Sequence, residues 1–304
     1  MLDTIRVKYH ITPTREQFES WTESKITSPT GERKKYFYNH ELGDTMLKYT
    51  YIPIDYTGEP LLTLEFSLPK LIFKNNHRMI TDLDEAITAA NVLLATVPHA
   101  PALDLDEGVL IRLDMCYNHQ VGDLVNDYIK ALGYLEYPHR RTKHHRQEGV
   151  EFKAKKITLK FYNKKRESGR PEAAGILRQE ITLINPKDIQ KLLGTKQPTL
   201  MDITKEFVKA QLESELQKLG LLGNSIHTYD TALKTLCDQH GDMAGFFHYG
   251  LLRSKMNKSK KEIAADSQMH PRSLDRKLRA IVDTGIPLTL TETEEPLPPL
   301  EINL

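Results

Sequence analysis

Residues 152–164 read FKAKKITLKFYNK. Side chains two apart on a strand share a face, so Ile157, Leu159 and Phe161 form an apolar face. Lys156, Lys160, Tyr162 and Lys164 form the opposite one. Three other segments alternate in the same way. In 60–68 (PLLTLEFSL), Leu62, Leu64, Phe66 and Leu68 oppose Thr63, Glu65 and Ser67. In 108–117 (GVLIRLDMCY), Val109, Ile111, Leu113 and Met115 oppose Arg112 and Asp114. In 175–184, Leu177, Ile181 and Leu183 oppose Arg178 and Glu180. Alternation with one polar face is the mark of an antiparallel sheet covered on one side only.

The covering helices are also legible. Residues 82–97 open on Asp82, Asp84 and Glu85 and stop before Pro98; residues 123–132 are closed by Gly133. Both carry helix start or stop signals. Residues 45–54 add a strand rich in β-branched and aromatic residues. After Pro186 the pattern turns helical, over 199–219, 225–239, 243–256, 258–266 and 271–284. The tail from 287 holds Pro and Glu without Lys or Arg and reads as extended or loosely ordered. The expected class is α+β: an antiparallel sheet with helices on one face, then an all-helical C-terminal domain. The expected division is 1–195, 196–287 and an acidic Pro-rich tail at 288–304.

The 304 residues carry 42 Lys plus Arg against 41 Asp plus Glu, a net charge of +1 that points to no partner by itself. Its distribution does. The window 138–170 holds twelve Lys or Arg against Glu148, Glu151 and Glu167, an excess of nine, leaving −8 for the rest of the chain. Arg140, Arg141, Arg146, Lys156, Lys160, Lys165 and Arg166 belong to it. Such a strip suits a phosphate backbone, and it equally suits a solvated loop. Two cysteines, Cys116 and Cys237, make neither a disulfide framework nor a four-Cys zinc site. No apolar run approaches the roughly 20 residues of a membrane span, so no membrane partner and a cytoplasmic location are expected. A phosphate-binding loop of the G-x-x-x-x-G-K-[S/T] type is lacking.

A tyrosine among cations and carboxylates suggests a nucleophile. Attack of a phenol oxygen on a phosphodiester builds negative charge that Lys, Arg or a carboxylate-held divalent ion can stabilise. Tyr117 falls with Leu113 and Met115 and reads as core. Residues 258–282 resemble a helix-turn-helix, with Arg272, Arg276, Lys277 and Arg279 on the second helix. A plain amphipathic helix pair has the same pattern.

In order, Leu64–Lys70, Ile111-Arg112-Leu113-Asp114, Phe161-Tyr162-Asn163-Lys164-Lys165-Arg166-Glu167, Leu177-Arg178-Gln179-Glu180 and the closing Gly285-Ile286-Pro287 resemble the gene II/X replication initiators of filamentous phages. The resemblance spans most of the chain, which is shorter in its C-terminal half. It implies a rolling-circle-nuclease-like fold and site-specific nicking of the plus-strand origin through a covalent phosphotyrosine, followed by strand rejoining. Tyr162 falls on the family's Y-x-K tyrosine, with Lys164 for phosphate binding or tyrosine activation. Asp114, Glu180, Glu65 and Glu167 would hold Mg²⁺ or Mn²⁺. Arg112, Arg178, Lys160, Lys156, Arg140, Arg141, Lys165, Arg166, Arg272 and Arg276 would meet DNA. The implied partners are origin DNA, duplex and single-stranded, with a host helicase and DNA polymerase in a bacterial cytoplasm; a homo-oligomer is a further expectation. The H-x-H metal motif common among rolling-circle nucleases is missing from every expected strand, which puts the weight on carboxylates. The competing class is a non-enzymatic helix-turn-helix regulator.

Overall fold

The computed structural model describes residues 1–28, 31–55, 57–145 and 148–304, so Arg146 of the basic window lies outside the described residues. Among these, the strands are β1 (Leu2–Tyr9), β2 (Thr22–Ser28), β3 (Gly31–Leu42), β4 (Thr45–Ile52), β5 (Leu61–Ser67), β6 (Val109–Gln120), β7 (Arg141–His144), β8 (Gly149–Lys153), β9 (Ile157–Asn163) and β10 (Ile176–Leu183). Their order is β2-β3-β4-β5-β1-β6-β10-β9-β8-β7. The helices are α1 (Arg15–Phe18), α2 (Leu68–Phe73), α3 (Leu83–Leu94), α4 (Val125–Gly133), α5 (Lys164–Ser168), α6 (Pro186–Leu193), α7 (Lys205–Lys218), α8 (Tyr229–His240), α9 (Asp242–Asn257), α10 (Lys260–Asp266) and α11 (Pro271–Val282). The protein is α+β with a large antiparallel sheet. No helix among the described residues is long and apolar enough to cross a membrane.

The chain forms two compact units. The first comprises 1–116, 181–208 and residue 304; the second comprises 117–180 and 209–303. In the first unit, β1 to β5 are joined antiparallel, β1 lying between β5 and β6. One face is apolar: Ile5, Val7, Leu47, Tyr49, Tyr51, Leu62, Leu64 and Phe66 are all buried. Trp21 stacks on Tyr38 at this face. The helix α2 packs on β1 and β5, and α3 packs on α2. The Asp82 carboxylate caps α3 by accepting from the Glu85 amide at 3.0 Å.

Strand β6 departs from simple alternation. Val7 pairs with Leu110 but Arg6 pairs with Arg112, so Ile111 is an extra residue. A bulge of this kind reverses which residues face inward on one side of it. Leu110, Leu113 and Met115 are buried, whereas Val109 and Ile111, expected on the apolar face, are only half-buried. The bulge leaves Arg112 and Asp114 together on the polar side.

In the second unit, the expected single strand at 152–164 is two, β8 and β9, separated by a turn. Strand β10 is buried along its whole length, including Arg178 and Glu180, so its polar residues do not lie on a wet face as alternation implied. The apolar side of β8 and β9 carries Val150, Phe152, Leu159 and Phe161, and α4 packs there. Leu236, Leu252, Ile263, Leu274, Leu278 and Ile281 join α8 to α11 in one core. The tail is extended but not loose. Leu290, Leu297, Leu300 and Ile302 are buried, and the Thr289 hydroxyl donates to the Ala131 carbonyl at 2.6 Å. Prolines exclude it from regular structure, while its leucines fill the core at spaced positions.

Candidate active site

Strand β9 sets the site. Its register with β8 pairs Gly149 with Tyr162, Glu151 with Lys160 and Lys153 with Thr158. Strand β7 adds Lys143 opposite Glu151 and Arg141 opposite Lys153. Paired residues share a face, so Tyr162, Lys160, Lys153, Lys143 and Arg141 stand on one side of the second unit. The basic strip and the tyrosine are therefore one surface.

Glu180 of β10 is buried beside β9. The Tyr162 hydroxyl donates to its Oε2 at 2.8 Å, and Lys160 Nζ donates to its Oε1 at 2.9 Å. The carboxylate holds the phenol by its proton at one oxygen and the ammonium at the other. Gly149 makes the approach of Tyr162 feasible: a Cβ there would lie 2.5 Å from the Phe161 carbonyl oxygen and 2.7 Å from Tyr162 Cβ. Gly149 precedes the strand expected at 152–164, and nothing in the sequence marks it.

The remaining expected residues fall into four groups. Lys164 opens α5 and its side chain has no exposure. Its Nζ donates to Glu167 at 2.5 Å and lies 5.6 Å from the centroid of the Tyr162 ring. As arranged, the Lys164 ammonium lies inside the fold between Glu167 and the Tyr162 ring. Arg178 is likewise fully buried, with Nε donating to Asn118 Oδ1 at 2.8 Å. Arg140 lies over the Tyr137 ring at 3.8 Å and meets the buried Glu215 at 2.8 Å. Neither arginine offers a surface to DNA: a sealed guanidinium satisfies partners inside the fold. Arg141, Lys156, Lys165 and Arg166 are exposed, as are Arg272 and Arg276 on α11.

The first unit holds the last group. Arg6 pairs with Glu65, Arg112 Nη1 lies 3.3 Å from Glu65, and Arg112 forks onto Asp114 at 2.7 and 3.2 Å. A hard divalent ion needs several oxygen donors converging on it. Glu65, Asp114, Glu180 and Glu167 instead each carry a Lys or Arg partner. Among the described residues no three His, Cys, Asp or Glu side chains gather as a ligand group.

Two features escaped the sequence. His119 Nε2 meets Gln179 Oε1 at 3.1 Å, and Gln179 donates to the Leu212 carbonyl at 2.9 Å. Burial lowers the His119 pKa to about 4, against weaker opposing hydrogen bonds from Gln179 and Glu301. Tyr117, expected in the core, is half-buried; its ring meets His119 edge-on and its hydroxyl accepts from the Asn303 amide at 3.2 Å. Compared with known proteins, the chain matches no family model and no curated protein.

Proposed function

We propose that the protein is a rolling-circle replication initiator, an origin-specific DNA endonuclease and strand transferase with a rolling-circle-nuclease-like fold. The observation that carries this is the Tyr162–Glu180–Lys160 group on the same face as Arg141, Lys143 and Lys153. Tyr162 Oη attacks the scissile phosphorus as its proton passes to Glu180, acting as general base. The bond from phosphorus to the 3′ oxygen breaks and that oxygen takes a proton from water, leaving a 3′-hydroxyl primer and a 5′-phosphotyrosine. Reversal by an incoming 3′-hydroxyl rejoins the strand. Lys160 offsets the charge that develops on the phosphoryl oxygens. A divalent cation belongs to the reading through the family resemblance, and no step here is routed through it. Origin DNA, a host helicase and a DNA polymerase are the partners this reading requires.

A non-enzymatic regulator is the second reading, favoured by α10 and α11. Leu274, Leu278 and Ile281 of α11 are buried while Arg272, Arg276 and Arg279 are exposed, the disposition of a recognition helix.

The test is incubation with supercoiled DNA carrying the sequence that flanks the gene, with Mg²⁺, Mn²⁺ or EDTA, followed by denaturing electrophoresis. The wild type should form open circles and a protein–DNA adduct. Tyr162→Phe should abolish both, and Glu180→Gln should slow them at least tenfold while duplex binding persists. A Tyr162→Phe variant that still forms the adduct ends the nucleophile assignment. Tight duplex binding by the wild type with no nick under any metal condition selects the regulator.

A further inference from the structure

The first unit has a second face, which its register defines strand by strand. Phe37 pairs with both Thr22 and Thr50, Lys35 with Ser24, and Arg33 with Ile26. Asn39 pairs with Lys48, Lys48 with Glu65, Glu65 with Arg6, and Arg6 with Arg112. These residues therefore share one side of the sheet, opposite the aromatic core of Tyr36, Tyr38, Tyr49 and Tyr51. Burial follows the same rule. Along β4, Leu47, Tyr49 and Tyr51 are buried, while Met46 and Lys48 are exposed and Thr50 is half-buried.

The face gathers Arg6, Arg33, Lys35, Lys48 and Arg112 from four strands, with Glu41, Glu65 and Asp114 as its carboxylates. Lys35 Nζ stands 4.2 Å from the centroid of the half-buried Phe37 ring. Burial, and behind it the charge of Arg6, lowers the Lys35 pKa below its ordinary value. Thr22 and Thr50, both small and polar, stand opposite Phe37 on the neighbouring strands, and the Lys35 ammonium over its ring is the group a stacking base would displace towards a phosphate.

Cations spread along a track with an aromatic platform among them match a nucleic acid whose bases are free to stack. We propose that this face of β1 to β6 binds single-stranded DNA, a base stacking on Phe37 and the phosphates running over Lys35, Lys48 and Arg33. The proposal rests on the nucleic-acid reading above but not on the nicking chemistry. Duplex DNA does not expose base faces and would use the cations alone.

The experiment uses the full-length chain in EDTA and fluorescence anisotropy with a labelled twenty-residue oligo-dT. Phe37→Ala should weaken binding by roughly 5- to 160-fold, the range of one lost base–aromatic stack. Lys35→Ala with Lys48→Ala should lower the slope of log affinity against log salt by about 1.4, two single-strand phosphate contacts. Lys25→Ala with Lys34→Ala removes the same charge from the opposite side, where these residues pair with Glu32 and Glu23, and should leave the slope unchanged. Urea midpoints of all variants confirm folding. Equal effects from the two double variants would reduce the result to net charge and overturn the platform. So would an unchanged affinity in Phe37→Ala, or a duplex 20-mer bound as tightly and with the same Phe37 dependence. Tyr162→Phe should bind oligo-dT like the wild type. Loss of nicking with intact binding separates the nicking assignment from the platform, and platform variants that bind normally sink the platform alone.

Discussion

Gly149→Ala is the sharpest single perturbation of the site. The added methyl would sit 2.5 Å from the Phe161 oxygen, 2.7 Å from Tyr162 Cβ and 3.1 Å from Tyr162 Cα. Carbon contacts are comfortable at about 3.5 Å, so β8 and β9 must separate locally by most of an ångström. Two of the three obstructing atoms are backbone and cannot swing aside. Overpacking of this kind costs about 1–3 kcal/mol. With a urea slope of about 2 kcal/mol per molar, the midpoint should fall by roughly 0.5–1.5 M. Because β9 lies between β8 and β10, its shift away from β8 drives it towards β10 and distorts the 2.8 Å Tyr162–Glu180 bond. Loss of one such bond to an ionised group is worth about 1.4 kcal/mol or more, hence at least tenfold in adduct formation. Gly250→Ala is the control: it lies in α9 with open space around it and should be neutral or slightly stabilising. Urea denaturation and the adduct assay together decide. A Gly149→Ala chain with the wild-type midpoint and wild-type adduct yield would show that the close β8–β9 approach does not position Tyr162.

Two further outcomes follow from buried charge. His119 has a folded pKa near 4 and an unfolded one near 6.5, so below pH 6.5 the unfolded chain takes up a proton that the folded chain refuses. Stability from this group is complete above about pH 7 and falls by up to about 3 kcal/mol as pH drops towards 4. The urea-midpoint difference between wild type and His119→Gln should therefore vary with pH over that window, and a constant difference refutes it. Arg140→Ala leaves Glu215, only 5% exposed, with Lys218 as its remaining cation at 2.8 Å. Removing one member of a buried pair costs about 3–5 kcal/mol, here at the lower end because of Lys218. A loss below about 1 kcal/mol by urea titration would mean that Lys218 compensates fully.

Much of the architecture could be read along the chain because local signals and tertiary environment agree there. The helices α3, α4 and α7 to α11, and the strands β4, β5, β6 and β10, announce themselves by period and caps. Strand β1 is harder to read although Ile5, Val7 and Tyr9 alternate with Arg6 and Lys8, because the register shift near Asp3 puts Leu2 out of step. The site was half-legible. Alternation put Tyr162 and Lys160 on one face, but the Glu180 contact depends on which strand lies next to β9. Charge also misled: Lys164, Arg178 and Arg140 look like surface cations in a sequence and are sealed inside by Glu167, Asn118 and Glu215. A sequence counts charges; only packing tells which of them meet water.

The second unit is assembled from 117–180 and 209–303, with 181–208 belonging to the first. No single cut along the chain releases either unit intact. A fragment ending at 195 would keep Tyr162, Lys160 and Glu180 while losing Glu215, Leu297 and Ile302, which lie in the interior of the same unit. Deletion mapping would thus score distant C-terminal truncations as losses of the chemistry at Tyr162, when what they remove is the scaffold beneath it.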